Sequence, residues 1–187
     1  MKQESNVWKG LAAGAVGGLV AGVVMNRFQA FLGRQMEGVD RSHGAQSLQQ
    51  GSPDHGVGQE LKERGEDDEQ DDAAMRLANA VSEAVLDREL TTEEKHAAGT
   101  VVHYAFSVTT GAWYGAMAEA FPVVTAGEGL PFGALVWVTA DEGMVPALGL
   151  SKSSEEYPYS IHLYALASHL VYGLTTEFVR RAVRRAL

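Results

Sequence analysis

Charge is distributed unevenly along this chain of 187 residues, and that segregation constrains the fold more than any single motif does. Residues 33–97 contain 7 of the 15 Lys and Arg residues and 16 of the 24 Asp and Glu residues, so this stretch carries the whole net charge of -9. The rest of the chain is neutral overall and contains long runs without any charge. One acidic, polar insert therefore interrupts an otherwise apolar chain. The acidic balance also argues against nucleic-acid binding as the main activity.

Four apolar segments surround this insert, and each is close to the length of a membrane-spanning helix. They cover residues 11–25 (8–32 with less apolar neighbours), 97–118, 130–150 and 161–176. A bilayer core of about 30 Å requires roughly 20 helical residues, and no segment alternates as a half-buried strand would. The pattern predicts an all-α fold, a four-helix transmembrane bundle. The alternatives are a soluble helical bundle and a cleaved signal peptide at the first segment, although Glu4 and the missing cleavage motif argue against cleavage.

The chain divides into four predicted parts. We expect a first transmembrane helix in residues 1–34, an acidic, partly disordered insert in 35–73, an amphipathic helix leading into the second span in 74–96, and three further spans with a basic tail in 97–187. High charge and few apolar residues predict the disorder of residues 35–72.

The stretch 74–90 has the periodicity of an amphipathic helix, and we expect its apolar side to pack on the outer ends of the spans. That side consists of Leu77, Val81, Val85 and, less well aligned, Leu86. Thr91 and Glu94 have the spacing of a capping box, which predicts that a new helix begins there and continues into the second span.

Basic residues outside the insert indicate an orientation. Lys2 and Lys9 precede the first span, and four arginines follow the fourth: Arg180, Arg181, Arg184 and Arg185. Four spans place both termini on one side of the membrane, and the positive-inside rule makes that side cytoplasmic. The acidic insert then faces outward. The arginines are interpreted as topology anchors that also contact anionic lipid.

The second half of the chain resembles a known family. The likeness covers residues 96–185 and depends on the order and spacing of several short groups: Ser107 with Tyr114, Ala118-Glu119-Ala120-Phe121-Pro122, Gly133-Ala134-Leu135, Pro146 with Leu148-Gly149-Leu150, His169-Leu170-Val171, Glu177, and Arg180-Arg181 with Arg184. This pattern resembles the YagU-like family of bacterial inner-membrane proteins. The resemblance implies a multi-pass protein of the inner membrane without an established biochemical activity, and it supplies neither a substrate nor a catalytic residue.

The first apolar segment contains glycines at a spacing of four, namely Gly10, Gly14, Gly18 and Gly22. They share one helical face and allow a second helix to approach closely, as in a glycine zipper. Packing against another span of the same chain is the favoured interpretation, since a four-span bundle requires such faces. Homo-oligomerisation through the same face is the alternative.

Ionisable residues inside the apolar segments are the candidate proton or ion sites. Asp141 and Glu142 lie 11 and 12 residues past Leu130. At a rise of about 1.5 Å per residue, this position is near the middle of the membrane. Carboxylates at that depth require a partner or a cavity. A short or re-entrant third segment would instead place them at an interface. Pro146 is expected to bend the helix nearby. The other candidates are His103, His162, His169 and Arg27, of which Arg27 could neutralise a carboxylate.

These residues suggest three functions. The leading hypothesis is a small proton- or ion-handling unit, since imidazole titrates near neutral pH. The second is a non-catalytic scaffold or stress-related protein, anchored in the lipid bilayer, whose acidic insert binds a protein partner. The third is a membrane metalloprotein, because three histidines and two carboxylates in one layer could hold a divalent cation. No cofactor is predicted, no nucleotide, hydrolase or metalloprotease motif occurs, and the absence of cysteine excludes cysteine-ligated metals and thiol nucleophiles.

Overall fold

The computed structural model describes residues 6–34 and 49–187, and all regular secondary structure in these residues is helical. The long helices are α1 (Val7–Gly33), α4 (Thr92–Ala120) and α7 (Tyr159–Ala186). The shorter elements are α2 (Gly56–Arg64), α3 (Ala73–Leu86), a 3-10 turn (Pro122–Thr125), α5 (Leu130–Thr139), a π-helical turn (Ala140–Met144), α6 (Val145–Ala147) and a second 3-10 turn (Ser154–Glu156). The predicted all-α fold is confirmed for the described residues.

Helix length and apolar content identify one candidate span in the described part of the chain. That helix is α1, of 27 residues, with 39% of its most apolar window buried. Such a helix near the N-terminus is also typical of a signal sequence or of a core helix.

The chain forms two compact units. Unit 1 comprises Met1–Phe31, Tyr104–Trp137 and Leu166–Leu187, and unit 2 comprises Leu32–His103 and Val138–Ala165. Unit 1 therefore contains most of α1, the second half of α4, the greater part of α5 and most of α7. Unit 2 contains α2, α3, the beginning of α4, the π-helical turn, α6 and the beginning of α7.

Small residues bring the helices of unit 1 together. The glycine face of α1 lies on α4: a Cβ added to Gly14 would lie 2.2 Å from the carbonyl oxygen of Gly111, and one added to Gly18 would lie 2.1 Å from that of Ser107. A second contact of this kind joins α5 to α7, where a Cβ on Gly133 would lie 2.1 Å from the carbonyl oxygen of His169. Only backbones without side chains between them approach this closely.

Unit 2 contains a network of buried polar groups. The Arg76 guanidinium is fully buried and donates to Asp67 Oδ1 at 2.7 Å, to the Leu150 carbonyl at 3.1 Å and to the Asp68 carbonyl at 3.2 Å. Lys95 Nζ lies 3.2 Å from Asp71 Oδ2. These charges satisfy one another inside the unit, which is the condition under which buried ions are tolerated.

The structure differs from the prediction of disorder for the insert. Residues 49–72 are ordered: Gly65, in the left-handed region, caps the end of α2, and the Asp72 side chain accepts hydrogen bonds from the first turn of α3. The prediction of disorder depended on the composition of residues 35–72 alone. The cations that neutralise the buried Asp67 and Asp71 are Arg76 and Lys95, which lie later in the chain. Residues 35–48 of the predicted insert lie outside the described residues.

The predicted amphipathic helix exists as α3, but its orientation is the reverse of the expected one. The apolar side that was expected to pack on the spans is exposed, with Val81 at 52% and Val85 at 73%. The buried side contains Met75, Arg76, Ala78, Asn79 and Ser82. The predicted capping box is present after α3: the Thr91 amide donates to Glu94 Oε2 at 2.9 Å, and the Glu94 amide donates to Thr91 Oγ1 at 3.3 Å.

Candidate functional site

A histidine–glutamate pair in unit 2 joins two of the predicted site residues. His162 Nδ1 lies 2.7 Å from Glu142 Oε1, and both side chains are less than one-fifth exposed. The other ring nitrogen, His162 Nε2, lies 3.0 Å from the Ser154 carbonyl oxygen. Glu142 is contributed by the π-helical turn, His162 by the first turn of α7, and Ser154 by the connection between them.

This geometry requires a proton between the two side chains. A carbonyl oxygen can only accept, so His162 Nε2 must donate its N–H to Ser154. If the ring is neutral, Nδ1 then carries a lone pair, and the contact of 2.7 Å requires a protonated Glu142. If Nδ1 is also protonated, the pair is an imidazolium and a carboxylate. In either case, the closed pair holds one exchangeable proton.

The π-helical turn is where the third apolar segment departs from regular helix. The amide of Val145 donates to the carbonyl of Ala140, five residues back, and Pro146 follows directly. Pro146 has no N–H to offer to the Glu142 carbonyl, and the Ser154 hydroxyl donates to that carbonyl at 3.3 Å. Single π-helical turns of this kind occur frequently at functional sites.

The insert packs directly behind this turn. His55 Nε2 lies 2.7 Å from the Pro146 carbonyl oxygen, and the amides of Val57 and Gly58 donate to the carbonyls of Leu148 and Gly149 at 3.1 and 2.7 Å. Tyr157 donates its hydroxyl to the Gln50 carbonyl at 3.2 Å. The segment on both sides of the histidine–glutamate pair is therefore tied to the ordered part of the insert.

The predicted site residues fall into both units. Asp141, Glu142, His103 and His162 belong to unit 2, and His169 and Arg27 belong to unit 1. The partner of Glu142 is His162, whereas Arg27, the cation proposed for it from the sequence, is exposed. Among the described residues, no group of three or more His, Asp or Glu side chains could hold a metal ion.

Unit 1 contains a polar interior of its own. Tyr172 is buried, donates its hydroxyl to the Ser107 carbonyl at 2.7 Å, and lies 2.8 Å from Thr110 Oγ1. Asn26 donates to the Tyr104 hydroxyl at 3.1 Å. Ser168, His169 and Thr176 are also buried.

The four arginines of the basic tail, which the sequence predicts to be topology anchors, have different surroundings in the structure. Arg180 and Arg184 are buried, and they bind Glu177 and Glu119 at 2.7 Å in each case. Arg181 bridges Glu177 and Glu128, and Arg185 is exposed. The pair between Arg184 and Glu119 joins α7 to α4 across 65 residues of sequence. Periodicity could not have found this pair, because it depends on how the two helices are aligned.

Two buried cations of unit 2 were also missed by sequence reasoning, Arg76 and Lys95. Burial raises the pKa of the Asp71 carboxyl, even though the adjacent Lys95 ammonium lowers it. For Arg76, the available signal was a basic residue on the polar face of a short helix that follows an acidic run.

Known proteins match the chain over its second half. Residues 75–178, more than half of the chain, match the family model described as "Protein of unknown function (DUF1440)". The inner membrane protein YagU of Escherichia coli (strain K12) is 29% identical over 87 residues, which cover 46% of this chain and 43% of that protein. The chain thus spans less than half the length of this curated relative. No solved structure matches the chain. The resemblance predicted from residues 96–185 is confirmed: the chain belongs to the DUF1440 family and is similar to YagU.

Proposed function

We propose that this protein crosses the inner membrane several times and that it binds and exchanges protons at the Glu142–His162 pair. The observation that carries the proposal is the contact of 2.7 Å between His162 Nδ1 and Glu142 Oε1, with Nε2 already committed to the Ser154 carbonyl. The contact forms around one proton, and loss of that proton leaves two lone pairs facing each other.

The distribution of side chains in unit 1 supports several spans. Its interior contains glycine contacts, hydroxyls and buried charges, whereas large apolar side chains lie on the outside. Those exposed apolar residues include Val16, Leu19, Val20 and Val23 of α1, Phe106, Trp113 and Met117 of α4, and Leu174 and Phe178 of α7. An apolar exterior around a polar, small-residue interior is expected of helices surrounded by lipid. In this arrangement α1, α4, the α5–α6 segment and α7 are the four spans.

The proposed orientation places both termini in the cytoplasm and the insert outside. The Glu142–His162 pair then lies at the outer end of the spans, close to the ordered part of the insert. The faces of α1 and α4 act as a glycine zipper within one chain. Proton exchange at this pair requires a bound proton and a change of geometry when the proton is released. It requires no metal or cofactor.

Loss of the proton would act on the connection that contains Ser154. While the proton is present, His162 forms hydrogen bonds with the Glu142 side chain and with the Ser154 carbonyl. These two hydrogen bonds hold the π-helical turn, the connection and the first turn of α7 together. Once the proton has left to water, the carboxylate and the Nδ1 lone pair repel each other, and the contact opens. A site that opens and closes with one proton can pass that proton between two environments.

Proton flux into liposomes that contain the purified full chain tests this function. Gln at position 142 can still donate an N–H to His162 Nδ1 but has no acidic proton, so Glu142→Gln should keep the fold and reduce the flux to that of empty liposomes. Glu155→Gln, at an exposed carboxylate of the same connection, is the matched control and should conduct like wild type. Equal flux through wild type and Glu142→Gln, at equal protein, would overturn the proposal.

A further inference from the structure

The solvent-facing side of α3 is apolar. Leu77, Ala80, Val81, Ala84 and Val85 lie on that side, and the three large residues are 37%, 52% and 73% exposed. Leu86, at the end of the helix, is also exposed. We call the first five residues the outer face of α3. An amphipathic helix of an isolated domain normally directs such a face toward its core.

Buried polar contacts on the opposite side hold α3 in this orientation. Arg76 is fixed by Asp67 and two backbone carbonyls, and Asn79 Oδ1 accepts from the Leu90 amide at 2.8 Å. Turning α3 to bury its apolar side would remove the partners of a buried carboxylate and of a buried amide, at a cost of several kcal/mol. The outer face is therefore a stable feature of the folded unit and is available to another molecule.

The outer face continues into a groove between α2 and α3. The groove has a volume of about 410 Å3, and the apolar side chains Val57, Leu61, Ala80 and Ala84 form part of its lining. Its rim carries Glu60, Glu83 and Asp87, together with Arg64, which lies 3.7 Å from Glu83. Three carboxylates against one guanidinium give the groove an acidic rim.

We propose that the outer face of α3 and the adjoining groove bind a basic amphipathic helix of a partner protein. The exposed apolar side chains of the outer face fit the apolar stripe of such a helix, and the acidic rim fits its lysines or arginines. An anionic lipid surface fits less well, because the same carboxylates repel its headgroups. This inference does not depend on the proton site, since it concerns different residues and a different ligand.

Binding of a synthetic peptide to the full chain in nanodiscs of zwitterionic lipid tests the proposal. The probe is a fluorescent helical peptide with leucines at helical spacing and lysines elsewhere, and its counterpart carries glutamates in place of the lysines. Fluorescence anisotropy should show that the lysine peptide binds protein-loaded discs more tightly than empty discs, and that the glutamate peptide does not. Val81→Asp should weaken binding at least about tenfold, because it places a carboxylate in the apolar contact.

Two further variants make the test specific. The double variant Glu60→Gln/Asp87→Asn removes two charges from the rim and replaces each carboxylate with an amide of nearly the same shape. It should weaken peptide binding about threefold or more. Val123→Asp is the matched control, since Val123 is 78% exposed in the turn after α4, and it should bind the peptide like wild type. Equal binding of both peptides, or unchanged binding by Val81→Asp, would contradict the proposal.

Two other occupants of the outer face would overturn it. Quenching of a Val85→Trp variant by brominated lipid would show that the bilayer covers the face. A dimer that depends on protein concentration and is lost in Val81→Asp would show that a second copy covers it.

Discussion

At the scale of single residues, this protein uses buried charges as specific links. Arg76 and Asp67 have fully buried side chains, and Arg184 and Glu119 are nearly as enclosed. Desolvation makes such ions costly unless each one is paired. The stability of each unit therefore depends on complete pairs, and removal of one partner should cost far more than removal of a surface charge.

Arg76→Ala should reduce the free energy of unfolding by about 3–5 kcal/mol, since it leaves the buried Asp67 carboxylate without its counter-ion. Chemical unfolding followed by circular dichroism measures the loss. Lys62→Ala removes an exposed pair with Asp54 and serves as the control, with no expected change. A similar stability for Arg76→Ala and wild type would show that the pair is dispensable.

A pH dependence is expected from the start of α4, outside the proposed span of residues 97–118. The hydrogen bonds from the Arg88 side chain and from Thr91 lower the pKa of Glu94 from 4.5 to about 2. A carboxyl whose pKa is lower in the folded state stabilises the fold above its unfolded pKa, and this contribution is lost as the pH falls toward the folded pKa. Glu94→Gln should thus have a lower Tm than wild type at pH 7, and the difference should vanish near pH 2. A constant difference across this range would contradict the assignment.

At the scale of elements, two features decide how the helices are arranged: close contact between helix backbones, and a π-helical turn that interrupts the third apolar segment. The glycines of α1 permit contact with the backbone of α4, and the π-helical turn places Glu142 beside His162. Periodicity predicted the glycine face, and Pro146 indicated an irregularity nearby. The type of irregularity and the partner of Glu142 depend on the connection 148–158, whose course no local pattern describes.

Gly14→Ala tests the contact between α1 and α4. The added Cβ would lie 2.2 Å from the Gly111 carbonyl oxygen, so the helices must separate, at a cost of about 1–3 kcal/mol. Gly33→Ala is the matched control, because a Cβ there meets nothing within 4 Å and alanine favours helix by up to about 1 kcal/mol. Thermal unfolding in detergent should show a lower Tm for Gly14→Ala alone. Equal Tm values for both variants would exclude a close contact at Gly14.

At the scale of the whole molecule, the proposed topology puts the insert and the C-terminal tail on opposite sides of the membrane. The chain lacks cysteine, so single cysteines can be placed at will. D54C, at a side chain that is 87% exposed, should react with a membrane-impermeant maleimide in cells with a permeabilised outer membrane. R185C should react only after the inner membrane is opened. Labelling of both sites from the outside would contradict an even number of spans with cytoplasmic termini.

Sequence by itself determined the features that depend on neighbours in the chain. Helical periodicity and the lack of strand alternation predicted an all-α protein, the Thr91–Glu94 spacing predicted a cap that exists, and ordered short motifs identified the YagU-like family. Helix propensity, capping and motif spacing depend on residues that are close together in the chain, so the sequence is sufficient to predict them.

The tertiary structure alone decided which groups meet across long separations. It placed Arg184 on Glu119, gave Glu142 the partner His162, ordered residues 49–72, and turned the apolar side of α3 outward. Each result has the same physical cause: a buried charge must be paired, and its partner comes from whichever element packs beside it. Apolar periodicity predicts burial only when no such pair competes, and on α3 the contacts of Arg76 and Asn79 prevail over the burial of Leu77, Val81 and Val85.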